Sequence, residues 1–239
     1  MAAPKRAPEL VVAVNRDHLN KLGVRTSSTL QDVEFVDTKD YALLPRDFAD
    51  NKLPTGVGLG SQFVQVLPYT IVRNVEGKIL TYQRKGSEEG LRGYWSIGAG
   101  GHITQQDLYN IILSKAQRHP TDLQPSLGEL IVEGFQRELS EELGIMVDIV
   151  HQPENPLLGF DSIINMSESV VDRVHVAYVY NLNLTAEEVG ALKPAEDEFL
   201  DWHWATAAEL REGIDNYRNS GKPFENWSRV LIEEQVGAA

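Results

Sequence analysis

Hydrophobic positions repeat along the chain with two periods. In "FVQVLPYTIVRN" and "GKILTYQRK" they form short runs rich in β-branched and aromatic residues, split by a polar turn from Asn74 to Gly77, which predicts two paired strands. "ELVVAV" near the start and "MVDIVH", "LLGFDSII", "RVHVAYVYNLNL" and "EFLDWHWA" further on have the same strand character. Between them the period becomes helical. "QQDLYNIILSKAQRH" (105–119) puts Leu108, Ile111, Ile112 and Ala116 on one side. A second helix runs to Leu143 and stops at Gly144, where glycine suits the left-handed conformation just past a helix C-terminus. "RDHLNKLG", "TAEEVGALK", "TAAELREG" and "FENWSRVLIEEQV" are shorter helical patterns. Strands interleaved with helices predict a mixed α/β layered fold.

The patterning also divides the chain. Residues 1–60 read as an N-terminal arm that ends in the glycine-rich loop "PTGVGLGS", residues 61–204 as the main domain, and residues 205–239 as a helical extension packed on it. With 239 residues, 42% of them hydrophobic, a sizeable core is expected. The formal charge of −13 excludes the broad basic surface that extended DNA or RNA needs. A small anionic substrate remains compatible, because a divalent cation can reverse the local sign of an acidic pocket. The absence of cysteine removes disulfides, thiolate metal sites and cysteine nucleophiles, and fits a reducing compartment. No apolar run approaches a membrane span, so a cytoplasmic protein is expected.

The second helix concentrates charge. On a wheel at about 100° per residue with Glu138 at zero, Val132, Phe135, Leu139 and Leu143 fall between about 60° and 140° and form the buried stripe. Glu138, Glu141 and Glu142 fall between about 300° and 40°, beside that stripe. Two carboxylates about 6 Å apart repel by roughly 3 kcal/mol at an effective dielectric near 20. Arg137 lies about 100° away on the same wheel, outside the acidic arc. A hard divalent cation, Mg²⁺ or Mn²⁺, is therefore the expected counter-charge, and it would bind substrate phosphates in turn. A solvated acidic face is the plainer alternative.

Spacing separates the two. Glu129, seven residues, then "RELSEELGI" resembles the Nudix box: Gly, five residues, Glu, seven residues, Arg-Glu, an aliphatic residue, any residue, Glu-Glu, any residue, Gly and an aliphatic residue. Every position from Glu129 to Ile145 fits, but Leu123 stands where the leading glycine belongs. "WSIGAGGHI" looks like the usual approach to the box, which makes Gly101 the displaced glycine and residues 103 to about 126 an insertion. The resemblance covers about residues 62–204 and points to a MutT-like, phosphoesterase-like branch with an insertion inside its box.

That resemblance implies the Nudix α/β/α sandwich with a mixed β-sheet, extended by the N-terminal arm and C-terminal helix. It implies a metal-dependent hydrolase, a pyrophosphatase acting on a nucleoside diphosphate linked to X or a related small phosphorylated metabolite. Glu138, Glu141, Glu142 and the Gly101 carbonyl would hold Mg²⁺ or Mn²⁺, and Arg137 would orient a glutamate. Glu129 falls about 180° from Glu138 on an unbroken helix, so it is expected in the loop before the helix, folded back to support the site. Glu138 is the expected general base. Loop acids also serve in the family, and among Asp161, Glu168 and Asp172 the choice falls on Glu168. Arg84 is either a phosphate contact or an exposed strand cation, and His102 either faces the substrate or is held in its loop. His175, His203, Trp202 and Trp204 read as packing residues, and Trp95 as pocket wall or core.

Other chemistries lack their spacing. No G-x-S-x-G elbow and no P-loop occur. The alternative of a different class is a Nudix-like module that binds a nucleotide or metabolite without turnover. The N-terminal arm and C-terminal helix are available to pair two subunits as a homodimer.

Overall fold

A computed structural model describes residues 9–31, 37–50, 62–85, 91–118, 121–147, 162–195, 199–220 and 223–236. In chain order its elements are β1 (Leu10–Asn15), α1 (Arg16–Lys21), β2 (Ala42–Pro45), α2 (Arg46–Ala49), β3 (Phe63–Arg73), β4 (Ile79–Arg84), β5 (Trp95–Ser96), β6 (Gly98–Ala99), α3 (Gln105–Arg118), α4 (Leu127–Leu143), β7 (Ser162–Ile164), β8 (His175–Asn183), α5 (Ala186–Ala191), β9 (Phe199–Ala205), α6 (Ala207–Ser220) and α7 (Asn226–Glu234).

One mixed sheet organises them. The long β3 runs parallel to β8 over nine register pairs, from Gln65 opposite His175 to Arg73 opposite Asn183. It also pairs antiparallel with β1, β6 and β4. The hairpin to β4 closes over Asn74, whose side-chain oxygen accepts the backbone N–H groups of Glu76 and Lys78. β4 continues to β5 and β9, β8 to β7, and β1 to β2. Two strands and two short helices thus come from the segment expected to be an arm.

The period of two along these strands feeds two cores. Val176, Tyr178 and Tyr180 of β8 join Val64, Val66, Leu80 and the α4 residues Leu130, Ile131, Phe135, Leu139 and Leu143. Ala177 and Val179 point the other way, to Ile71, Ile79, Ile97 and the α6–α7 residues Leu210, Trp227, Val230 and Leu231. The result is the expected α/β/α sandwich, with α4 on one face and α7 on the other. At about 1.5–3 kcal/mol for each fully buried Leu, Ile or Phe, the α4 stripe alone is enough to seat that helix.

Several local expectations changed. The strand expected at "MVDIVH" does not form at Met146 and Val147, and its remaining residues lie outside the described ones, as does "PTGVGLGS". Only Ser162–Ile164 of "LLGFDSII" is described as strand. Ala116 of α3 is exposed, and the buried positions of that helix are Ile111 and an acid, Asp107. Among the described residues no helix is long and apolar enough to cross a membrane.

Candidate functional site

The acidic helix α4 is fixed at both ends by its own sequence. Ser126 caps it: the serine Oγ accepts the N–H of Glu129 at 3.3 Å, and Glu129 Oε2 accepts the N–H of Ser126 at 2.7 Å. Gly144 closes it at φ 68°, a conformation that costs glycine nothing. The buried stripe then sets the rotation of the helix, and Glu138, Glu141 and Glu142 reach a cavity of about 640 Å³. Arg84, Gly101, His102 and Arg137 line the same cavity.

Gly101 is where the displaced-glycine argument puts it. It leads out of β6, and a β-carbon built on it would stand 2.4 Å from Glu138 Oε1. Only glycine lets the backbone and that carboxylate lie so close. Burial pushes the Glu138 carboxyl up to about 7, against the opposing pull of Arg137.

Arg137 ties the site together and corrects the charge argument made from the wheel. Its long side chain crosses the arc, and Nη1 lies 2.8 Å from both Glu138 Oε1 and Glu141 Oε2. Part of the counter-charge is therefore internal. Nε donates to Asp107 Oδ1 at 2.8 Å, and Nη2 donates to Asp107 Oδ2 at 3.2 Å and to the His102 carbonyl at 2.7 Å. Burial alone would make the guanidinium easier to deprotonate, but Asp107 and Glu138 outweigh it and hold its pKa above the ordinary range.

Asp107 was not anticipated. It is fully buried on α3, inside the insertion, and Oδ2 also accepts the Thr104 N–H at 2.7 Å. The available signal was the threonine three residues before an acid at a helix start.

Glu129 is not in a loop. It is the third residue of α4, faces away from the acidic cluster as a continuous helix dictates, and meets Lys115 of α3 at 2.7 Å. Glu168 pairs with Arg229 of α7 at 2.9 Å and is not among the cavity-lining residues. Asp172 is: it is buried on a short 3₁₀ turn, where it accepts from Ser169 N at 2.8 Å and Asn226 Nδ2 at 2.7 Å. Asp161 lies outside the described residues.

The remaining candidates sort by position. Arg84 ends β4 with Nη1 3.5 Å from Glu225 Oε2, and Glu225 Oε1 accepts the hydroxyls of Tyr69 at 2.5 Å and Ser96 at 2.6 Å. His102 Nε2 lies 3.0 Å from Nε2 of His175. His175 Nδ1 lies 2.8 Å from the Val171 carbonyl, an acceptor only, so Nδ1 carries a proton. His175, expected to be mere packing, thus lines the cavity. Trp95 is core, edge-on to His203, while Trp202 on β9 is exposed.

Glu138, Glu141 and Glu142 line one cavity with Gly101 and offer oxygen donors, which suits Mg²⁺ or Mn²⁺ in kind. Among the described residues no group of three or more His, Cys, Asp or Glu side chains is drawn together tightly enough to hold a metal. Glu138 and Glu141 share the Arg137 guanidinium instead.

A model of the NUDIX domain matches residues 68–227, more than half of the chain. Among solved structures, Tm1382, described as a candidate Nudix hydrolase, superimposes with a TM-score of 0.60 at 19% identity, covering 95% of this chain and 98% of that one. A MutT Nudix hydrolase from Burkholderia pseudomallei matches at 17% identity and a TM-score of 0.42, covering 72% and 97%. A MutT protein from Methanosarcina mazei Go1 matches at 16% and 0.41, covering 72% and 92%. The likeness to Tm1382 shows the fold, and the other two add nothing to it. No curated protein sequence matches the chain.

Proposed function

The chain belongs to the Nudix family and is a hydrolase of acid anhydrides, and from that premise we propose that it cleaves the diphosphate linkage of a nucleoside diphosphate linked to X, or a related small phosphorylated metabolite, with Mg²⁺ or Mn²⁺. The observation that carries this reading is the approach of Gly101 to Glu138 across the insertion, which rebuilds one box from two separated pieces of chain.

Glu138, Glu141, Glu142 and the Gly101 carbonyl are the residues that would hold the metal. When bound, a divalent ion neutralises charge on the non-bridging phosphate oxygens and acidifies water. The chain's own groups do the rest. Water attacks one phosphorus, the bridging P–O bond breaks, and the bridging oxygen leaves on the second phosphate. Glu138 Oε2 accepts the proton of the attacking water, since Oε1 is held by Arg137. Arg137 fixes the orientation of Glu138 and Glu141 by charge-assisted hydrogen bonds. Arg84, anchored by Glu225, and His102, anchored by His175, are the groups proposed to meet substrate phosphates. Of the acids in the segment after β7, Asp172 rather than Glu168 belongs to the cavity. Glu129 acts on the helix, not on the substrate.

The test is a panel of nucleoside diphosphate compounds and other small diphosphates, with products identified by mass. Cleavage at the diphosphate with Mg²⁺ or Mn²⁺, abolished by a chelator, is expected. Cleavage that survives chelation, or that falls on a phosphomonoester, would overturn the proposal.

A further inference from the structure

We propose that Asp107, on the helix inserted into the box, is the positioning residue that holds Arg137, and through it Glu138 and Glu141, in working geometry. The resemblance assigns support of the site to Glu129, yet Glu129 is turned to Lys115 on the opposite side of the helix. Asp107 is the buried carboxylate that grips the guanidinium, at 2.8 Å to Nε and 3.2 Å to Nη2.

The geometry divides the five N–H donors of Arg137 into two sets. Nε and Nη2 face Asp107 and the His102 carbonyl, on the inner side. Nη1 faces the two catalytic-helix carboxylates. A planar fork held at one end by a bidentate acid has little freedom at the other. Without Asp107 the guanidinium can turn its whole fork onto Glu138 and Glu141, the carboxylates proposed to bind the metal. Asp107 thereby limits how strongly Arg137 engages them. The His102 carbonyl is on the same fork, so the loop carrying Gly101 is positioned by the same side chain.

The insertion then has a role. α3 touches α4 through two ionic ties: Asp107 with Arg137, and Lys115 with Glu129. The first is buried and reaches the site, whereas the second is partly exposed and does not. They provide a matched comparison. Asp107→Asn keeps an oxygen for the Thr104 N–H that starts α3, but replaces the anion facing Arg137. Lys115→Met loosens the same helix pair without touching the guanidinium.

The kinetic arm rests on the hydrolase reading above. Asp107→Asn is expected to lower kcat by about 100-fold with KM changed by less than about threefold, as misplacement of a catalytic group by about 1 Å does. Arg137→Gln should add little to Asp107→Asn, because both break one unit. Lys115→Met should lower the melting temperature and leave kcat alone. A second arm needs no turnover: in metal-free protein the Arg137 Nε–H resonance, identified by its loss in Arg137→Gln, should be protected from exchange in wild type and in Lys115→Met and unprotected in Asp107→Asn. If Asp107→Asn does not fold, Asp107→Glu, which keeps the charge and displaces it by one methylene, carries both comparisons. The proposal is overturned if the Asp107 variants behave like Lys115→Met, losing melting temperature but neither kcat nor Nε–H protection. Absence of turnover in wild type, with Nε–H protection present in wild type and lost in Asp107→Asn, would sink the hydrolase reading and leave the positioning role standing.

Discussion

Gly101 and Glu138 stand against each other so closely that a single added methyl on the first would meet the carboxylate of the second: the distance from that β-carbon to Oε1 would be 2.4 Å. The obstacle is the far end of a flexible side chain, so Gly101→Ala should fold. It should do so with Glu138 displaced, lowering kcat by on the order of 100-fold while the melting temperature stays within a few degrees of wild type. Steady-state kinetics beside a thermal melt checks both halves.

Glu138 also sets a pH dependence. Its carboxyl is pushed up to about 7 by burial, with Arg137 pulling the other way. In the unfolded chain a glutamate titrates near 4.3, so between roughly pH 4.3 and 7 the folded protein holds a proton that the unfolded chain has lost. The stability this contributes is full below that range and is lost as the pH rises through 7. Without metal, the melting temperature of wild type should fall from pH 5 to 8 relative to Glu138→Gln. Equal slopes for the two proteins would contradict the buried, raised carboxyl.

The tie between Lys115 and Glu129 should behave as a structural pair. Its side chains are 17% and 39% exposed, so its loss is expected to cost about 1 kcal/mol or less. A cycle of Lys115→Met, Glu129→Gln and the double variant, followed by denaturant unfolding, should show coupling of that size. The double variant should also show a cost beyond the pair, because Glu129 serves the helix cap as well.

Asp172 and Glu168 separate by position. Asp172→Asn, inside the cavity and bonded to Ser169 and Asn226, should cut kcat/KM by tenfold or more. Glu168→Gln, which breaks only the contact with Arg229, should change it by less than about threefold. Reversal of that order would restore Glu168 to the site.

The parts of the molecule that could be read from the chain are those fixed by local periodicity. α4 was legible because its stripe and its terminal Gly144 agree, and the sandwich because strands of period two alternate with helices. Gly101 was legible because "WSIGAGGHI" resembles the usual approach to the box, whose leading glycine is replaced by Leu123 in the continuous spacing. Asp107 was not, because an acid at a buried helical position violates the pattern that found the helix, and its partner Arg137 lies on a different element. Glu129 was misplaced because its assigned role outweighed the Ser-x-x-Glu cap written at residues 126–129. The wheel called Glu138 and Glu141 uncompensated because it records where a side chain starts, not how far arginine reaches. Strand alternation gives His175 a packing position and cannot say that His102 faces it.

The most direct measurement is turnover of the best-cleaved diphosphate with Mn²⁺ by wild type, Glu138→Gln and Glu141→Gln, each first shown to be folded. Metal-dependent release of product by wild type, reduced by at least 1000-fold in Glu138→Gln and strongly in Glu141→Gln, is the predicted result. Undiminished turnover in Glu138→Gln would contradict the account at its centre, because the carboxylate that Gly101 makes room for would then have no part in the chemistry.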